Sequence, residues 1–403
     1  MTKDENDKLR SNELPLDAEE GTVPVDTFAP KGQAMSPIGS LLDDALARTT
    51  ARAEGQEVPV PMPWPEIASI YRGGLWPGMH LLVAGTGAGK TQWALQLALH
   101  AAQQGIGVGY IGLELDKLQV TLRLASLVDG RVPWSDWFTG CRDDRGVVNR
   151  EALGRLPAAL DKLRALPVHL EFARPGGWPA SRLTEVVREV RTAHPDQSKP
   201  VLVVLDFLQL VGDEPGTRGV ELRERIGRAA YFARQVASEQ NAAVLLISST
   251  ARTNYMGGEE MAATARAVED GQGLHNPDAI VGLGKESGET EYAADSVAVL
   301  ARMASVNLHN GRAILFAAPK VRAGRARWDA LKFNGHRFNG LEQAHIGAAS
   351  EADEAHAAVV AAGKMTPDQA AGRATKRQGA ASESGQKDKK NGAAEAVLKE
   401  NDG

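Results

Sequence analysis

The sequence predicts an α/β fold of the P-loop NTPase class, a mostly parallel central sheet flanked by helices. Three observations predict it. Strand-like and helix-like segments alternate through residues 61–345, as they do where crossover helices join parallel strands. One strand-to-helix junction carries a glycine-rich loop ending in Gly89-Lys90-Thr91. Two later apolar runs, 201–205 and 243–247, are continuous rather than alternating, the pattern of strands buried on both faces.

The elements follow in order. Leu81-Leu82-Val83 is a short apolar run that leads into glycines, as a strand ending in a tight loop does. Residues 91–103 place Ala94, Leu97, Ala98 and Ala101 on one stripe at helical spacing. A second strand is expected at 108–112, then helices at 117–128 and 151–165. A long helix is expected at 221–240 between the two buried strands. Three more strands are expected at 296–302, 312–319 and 326–333, and there is no internal repeat.

Both ends differ from this middle. Residues 1–60 carry 12 acidic and 6 basic side chains, five prolines and almost no aromatics. Such a stretch buries too little apolar surface to offset its ordering entropy, so a disordered acidic tail is expected. About two helical turns at 40–48 are the one exception. Residues 346–403 are rich in Ala, Gly, Glu, Lys, Asp and Gln and read as a second disordered tail. Between them, residues 61–345 read as one domain.

The whole chain of 403 residues has a formal net charge of -5, which excludes a protein that grips nucleic acid by bulk positive charge. The acidity sits in the tails, however, and the middle is about +2. Cys141 is the one cysteine, so no internal disulfide and no all-cysteine zinc site can form. His100, His169 and His275 lack metal-ligand spacing. The start of the chain lacks the basic-then-apolar pattern of a secretory signal, and no run of about 18 apolar residues occurs. A soluble, cytoplasmic protein with no membrane contact is expected.

The sharpest chemical signal is Ala84-Gly85-Thr86-Gly87-Ala88-Gly89-Lys90-Thr91, with Ala84 where the common pattern has glycine. Glycines let the backbone curl until its N–H groups point at phosphate oxygens, and the following helix start adds partial positive charge. Gly85, Thr86, Gly87, Ala88, Gly89, Lys90, Thr91 and Gln92 are therefore the candidate ATP-binding residues. Lys90 would reach the β- and γ-phosphates, and the Thr91 hydroxyl would ligate Mg2+. Asp206 ends the strand Val203-Val204-Leu205 and would hold the same magnesium, through water. Glu114 stands just past the strand at 108–112, where a carboxylate would polarise an attacking water.

Taken together these residues resemble the RecA-like motor domain of DnaB-type replicative helicases. Gly73-Gly74-Leu75-Trp76-Pro77-Gly78 is similar to the family's segment before the first strand. Glu114, Gln119 and Arg123 keep its spacing, and Asp206-Phe207-Leu208-Gln209-Leu210 looks like its Asp-Tyr-Leu-Gln-Leu. Glu286-Ser287-Gly288, Glu291 and Asp295 follow in order, then Lys320-Val321-Arg322 and Leu331-Lys332-Phe333-Asn334-Gly335. The resemblance covers roughly residues 62–340. It implies a ring, six subunits in that family, with ATP between neighbours. Lys320 and Arg322 would then act in the next subunit's site as an arginine finger does.

The chain departs from the family in two places. The helical N-terminal domain has no counterpart in the first 60 residues, which makes the chain similar to the short RepA-type plasmid helicases. The γ-phosphate-sensing Ser-Gln at the strand end reads Ser248-Ser249 here, so Ser249 and Gln209 are the candidate sensors. DNA-contacting loops would lie at about 211–222 and 252–276, with Arg218, Arg223 and Arg252 as the candidate contacts to single-stranded DNA. The resemblance thus implies an ATP-driven helicase on single-stranded DNA, with the tails as sites for a loader or other replication protein. Two alternatives stand beside it: a RecA-like assembly factor or nucleotide switch that does not unwind, and a non-catalytic oligomerisation scaffold. A third feature takes the plainer reading: Trp134, Trp137 and Trp178 are expected in the core or an interface rather than stacking on bases.

Overall fold

The apolar run at 81–83 is the centre of a longer strand, β3 (Gly78–Ala84), with every residue buried. This is a computed structural model, and it describes residues 36–173, 177–249, 288–308, 311–324 and 326–340. The chain divides into two units after Gly55. In the first, Gly39–Ala53 forms the helix α1, longer than the two turns expected at 40–48. Its leucines, alanines and arginines are good helix formers, and Gly55 follows its end with a left-handed φ of 72°. None of the α1 residues is buried.

The second unit holds the sheet. A small ribbon of β1 (Val60–Pro61) and β2 (Gly74–Leu75) brackets the helix α2 (Pro65–Ile70). After β3 come α3 (Lys90–Gln103), β4 (Val108–Gly112), α4 (Lys117–Asp129), α5 (Trp134–Phe138), α6 (Arg150–Gly154) and α7 (Leu156–Arg164). Then follow β5 (Val168–Phe172), α8 (Arg182–Ala193), β6 (Val201–Asp206), a 3-10 turn at Leu208–Leu210, α9 (Leu222–Glu239) and β7 (Ala242–Ser249). The last described part is α10 (Gly288–Ala293), β8 (Ser296–Leu308), β9 (Gly311–Val321), β10 (Arg327–Phe333) and β11 (Phe338–Gly340).

The nine strands from β3 to β11 form one sheet in the order β11-β10-β9-β8-β3-β7-β6-β4-β5. Strands β5, β4, β6, β7, β3 and β8 run parallel, and β9, β10 and β11 extend the sheet antiparallel. The chain leaves β3 and returns as β4 three places away. Loops at the C-terminal ends of β3, β4, β6 and β7 therefore open on a common crevice, where ligands of such sheets bind.

Strand alternation divides the core into two layers. Leu81, Val83, Val203, Leu205, Val244 and Leu246 face α8 and α9 on one side. Leu82, Leu202, Val204, Leu245 and Ile247 face α3 and α4 on the other. Trp93 is sandwiched in the second layer, stacked on Trp64 at 4.9 Å and on Phe316 at 5.7 Å between ring centres. The expectation for Trp137 and Trp178 agrees with their burial.

Some elements differ from the sequence reading for local reasons. The helix expected at 151–165 is two, because Pro157 opens the second and has no N–H to continue the first. β5 went unread because it is a half-exposed edge strand with no continuous apolar run. α8 went unread because Arg182, Glu185, Arg188 and Glu189 outweigh a buried stripe of Leu183, Val186, Val187 and Val190. Its Arg191 is a buried staple. The guanidinium donates to the carbonyls of Gln240, His194, Asp196, Lys199 and Asn241, tying the end of α8 to the turn before β7.

His80, buried on β3, fixes that strand's start. Its Nε2–H donates to the Trp76 carbonyl at 2.8 Å, which leaves Nδ1 to accept from the Ser296 hydroxyl at 2.8 Å. Burial holds its pKa below the ordinary 6.5. The unfolded chain thus binds this proton more readily than the folded one. Stability from His80 is fully present above about pH 6.5 and is lost as pH falls through the lower folded value. The expected result is a thermal midpoint that drops between pH 7.5 and 5.5, with a shallower slope in His80→Asn. An unchanged slope in that variant would contradict the assignment.

Candidate nucleotide-binding site

The loop from Gly85 to Gly89 joins the C-terminal end of β3 to the start of α3. Gly87 and Gly89 have φ of 81° and 90°, in the left-handed region that only glycine enters without strain. The first N–H groups of α3 lack acceptors within the helix and so are available to an anion. Thr86 and Gly87 are exposed, while Lys90 and Thr91 are half-buried at the helix start. The Lys90 ammonium lies 5.4 Å from the centre of the Phe207 ring.

Gly89 is required for a second reason. A Cβ there would meet Phe338 Cζ at 2.7 Å and Phe333 Cε1 at 3.2 Å. Those two rings stack at 4.4 Å between centres. The Gln96 side chain of α3 holds Phe338 at both main-chain atoms, accepting from its N–H and donating to its carbonyl, each at 2.8 Å. The last two strands thus back the phosphate loop directly, a contact with no mark in the local sequence.

Gln92 is placed differently from its neighbours. It is 1% exposed, its Nε2 donates to the His336 carbonyl at 2.7 Å, and its Oε1 accepts from Arg123 at 3.1 Å. Its side chain serves the turn between β10 and β11, and its main-chain N–H is the part at the helix start.

The acidic residues converge from neighbouring strands. Gly112 at the end of β4 is the register partner of Asp206 at the end of β6, so Glu114 stands two residues beyond that row. Glu114 is exposed and Asp206 is buried. Asp206 Oδ2 accepts from the Tyr110 hydroxyl at 2.6 Å, while Oδ1 is buried with no hydrogen-bond partner. Burial raises the Asp206 pKa, the Tyr110 and Thr91 hydroxyls oppose the rise, and Glu114 adds to it. The Asp206–Phe207 peptide is cis.

A hard divalent cation fits these donors. Thr91 offers a hydroxyl and Asp206 an unsatisfied buried oxygen, the types that bind magnesium through water. No group of three or more His, Cys, Asp or Glu among the described residues could hold a metal alone.

Arg123 adds a cation whose role was not evident from its motif. It lies 3.9 Å over the Trp134 ring, and its Nε is buried without a hydrogen-bond partner. Burial lowers its pKa against the pull of Tyr110, Asp206 and Glu114. The guanidinium thus offsets the charge of the two carboxylates. Trp134 is its platform, not one for bases.

Gln209 and Ser249 are brought together. Gln209 Nε2 donates to Ser248 Oγ at 2.9 Å and to the Ser249 carbonyl at 3.1 Å, and its Oε1 accepts from the Ser249 N–H at 3.1 Å. This clamp joins the ends of β6 and β7 beside Ala84, the register partner of Ser249.

Lys320 and Arg322 lie elsewhere. Lys320 pairs with Val297, which pairs with Leu81, whereas the phosphate loop leaves the sheet beyond Ala84 and Leu300. The pair therefore sits toward the opposite end of the sheet from its own loop. Lys320 Nζ donates to the carbonyls of Glu291 and Tyr292 at 2.7 and 3.0 Å. Arg322 Nη1 donates to Asp295 Oδ1 at 2.9 Å.

Of the candidate DNA contacts, Arg218 and Arg223 are exposed, and Arg252 with the second loop lies outside the described residues. The first loop is anchored rather than loose. Glu214 is buried and accepts from the Ser181 N–H at 3.0 Å and from the Ser181 hydroxyl at 2.5 Å. Arg225 is spent internally, donating to the Val211 carbonyl at 2.9 Å. No helix among the described residues is long and apolar enough to cross a membrane.

A phosphate cradle at the C-terminal edge of a sheet ordered this way defines the RecA-like class of P-loop domain. The family model of the DnaB-like helicase C terminal domain matches residues 68–339, and the chain belongs to that family. Two solved structures share the fold. One, described as an ATPase domain, is 21% identical with a TM-score of 0.60, over 76% of this chain and 100% of that one. The other, described as a DnaB-like replicative helicase and its interactions with primase, is 21% identical with a TM-score of 0.58, over 78% of this chain and 69% of that one. No curated protein matches.

The packing of Phe338 on Gly89 yields a test. Phe338→Ala should cost about 3–5 kcal/mol in chemical denaturation and weaken nucleotide binding. Phe338→Leu, which keeps apolar volume behind the loop, should lose less of both. Equal nucleotide affinity in wild type and the alanine variant would show that the loop does not depend on this contact.

Proposed function

We propose that the protein is an ATP hydrolase that assembles into a ring, with six subunits as in its family, and moves along single-stranded DNA as a replicative-type helicase. The observation that carries this reading is the displacement of Lys320 and Arg322 toward the opposite end of the sheet from their own phosphate loop. A cationic pair so placed can complete an ATP site only on a neighbour.

The chemistry assigned to each residue follows from its position. The loop N–H groups and Lys90 bind the β- and γ-phosphates. Thr91 and Asp206 hold the magnesium, which when bound neutralises phosphate charge. Glu114, exposed at the crevice, orients a water for in-line attack on the γ-phosphorus and takes up the water's proton, while the bond from that phosphorus to the bridging oxygen breaks and ADP leaves. Lys320 and Arg322 of the adjacent subunit stabilise the charge that develops on the transferred group. Ser249, clamped to Gln209, senses whether that group is present. Arg218 and Arg223, summed around the ring, track the DNA backbone, with Arg252 as a further contact.

We read residues 61–345 as the motor domain and 1–60 and 346–403 as disordered tails that engage a loader or another replication protein. The description of one structural relative with primase supports that class of partner. Cytoplasmic location accords with such a role. One observation favours a second reading, a nucleotide-driven assembly factor that does not unwind. Ser249 stands where the resembled helicases have glutamine, which shortens the link between γ-phosphate and DNA loop.

Lys90→Ala should abolish ATP turnover, and full turnover would sink the phosphate-loop assignment. Arg322→Ala alone should lose roughly 10^3-fold or more in turnover. Mixed with Glu114→Gln subunits it should regain activity above either variant, because some interfaces then join an intact loop side to an intact finger. Single-stranded DNA should stimulate hydrolysis. Stimulation with no unwinding of a forked duplex would favour the second reading.

A further inference from the structure

We propose that Tyr110 is a positioning residue for the metal-holding carboxylate. It occupies Asp206 Oδ2 and so reserves Oδ1 for the metal's water. The proposal rests on the nucleotide-site reading above and adds a residue that the site's motifs do not include.

The geometry is built for this contact. Tyr110 lies on β4 opposite Val204, two residues short of the row that holds Asp206. The residue in that row on β4 is Gly112. Residues 110 and 112 share one face of the strand, and Gly112 has no side chain to fill the space ahead of the ring. A Cβ on Gly112 would lie in ordinary contact with two rings, 3.4 Å from Phe172 and 3.5 Å from Tyr110 Cε1.

The two oxygens of Asp206 are thereby made unequal. One accepts at 2.6 Å from a phenol that is itself 1% exposed, and the other has no hydrogen-bond partner although equally buried. A buried acceptor left unsatisfied is costly, so Oδ1 is held ready for a ligand that donates. A metal-bound water is such a ligand. A phenol hydroxyl carries one proton to give, and here it gives it to Oδ2. Without it the carboxylate could turn, and either oxygen would face the cradle.

The test uses the full chain and fluorescent ADP, first with metal chelated and then with Mg2+ titrated in. Mn2+ binding read by electron paramagnetic resonance gives a second measure that needs no turnover. Tyr110→Phe should bind metal-free ADP within about twofold of wild type. It should need roughly tenfold more Mg2+ or Mn2+ for half of the metal-dependent effect, the size expected for one hydrogen bond to a charged group. Tyr71→Phe, which removes another buried phenol, should leave the metal midpoint unchanged. An unaltered midpoint in Tyr110→Phe would overturn the proposal. Failure of wild type to bind ADP at all would overturn the nucleotide-site reading and this proposal with it. A structure of the wild type with Mn2+ and ADP decides the matter even if the variant does not fold. The metal's water on Oδ1 with Tyr110 still on Oδ2 supports the role, and a metal shell on Oδ2 with Tyr110 displaced refutes it.

Discussion

The whole phosphate site hangs on one constraint, the complete burial of β3 between β7 and β8. A strand with no exposed residue cannot shift without opening both apolar layers at once. It therefore delivers Gly85 to a fixed point in space. The same strand is pinned near its start by His80, and the loop it feeds is backed at the start of α3 by the rings of Phe333 and Phe338 behind Gly89. The loop itself is rich in glycine and has no stiffness of its own. Its shape comes from the rod that leads into it and the aromatic wall behind it.

Charge in the crevice is balanced by depth. Asp206 is buried, Glu114 is exposed, and Arg123 lies on the face of Trp134 with its charge felt by both. The buried acid suits holding a cation, since it is shielded from competing water. The exposed acid suits handling water, since it meets solvent. Two carboxylates of the same chemistry are thus given different surroundings by where their strands end.

How much of this could be read beforehand depended on whether the signal was local. Gly85 through Thr91, Asp206 and Glu114 declare themselves because strand, loop and helix are contiguous and the chemistry needs those residue types in that order. The buried strands β6 and β7 were plain for the same reason, being unbroken apolar runs. Tyr110 was opaque: a tyrosine in a strand reads as core, and only the pairing of β4 with β6 brings it to a carboxylate 96 positions later. Phe338 was opaque because nothing near it in sequence mentions Gly89. Glu214 reads as a solvated loop acid, yet the backbone at Ser181 draws it inward. Gln92 reads as part of the cradle, yet its amide is turned toward Arg123 and His336.

Asp295 carries one more consequence. Its Oδ1 accepts from Arg322 at 2.9 Å, and its Oδ2 accepts from the main-chain N–H of Met79 at 2.9 Å. Met79 is the second residue of β3, and the phosphate loop follows the far end of β3. One carboxylate thus grips both the finger and the foot of the rod that bears the cradle. In the proposed ring, a tug on the finger from the next subunit would be a tug on this subunit's own rod. Such a circle would be geared, each tooth cut on the same shaft as the wheel it drives.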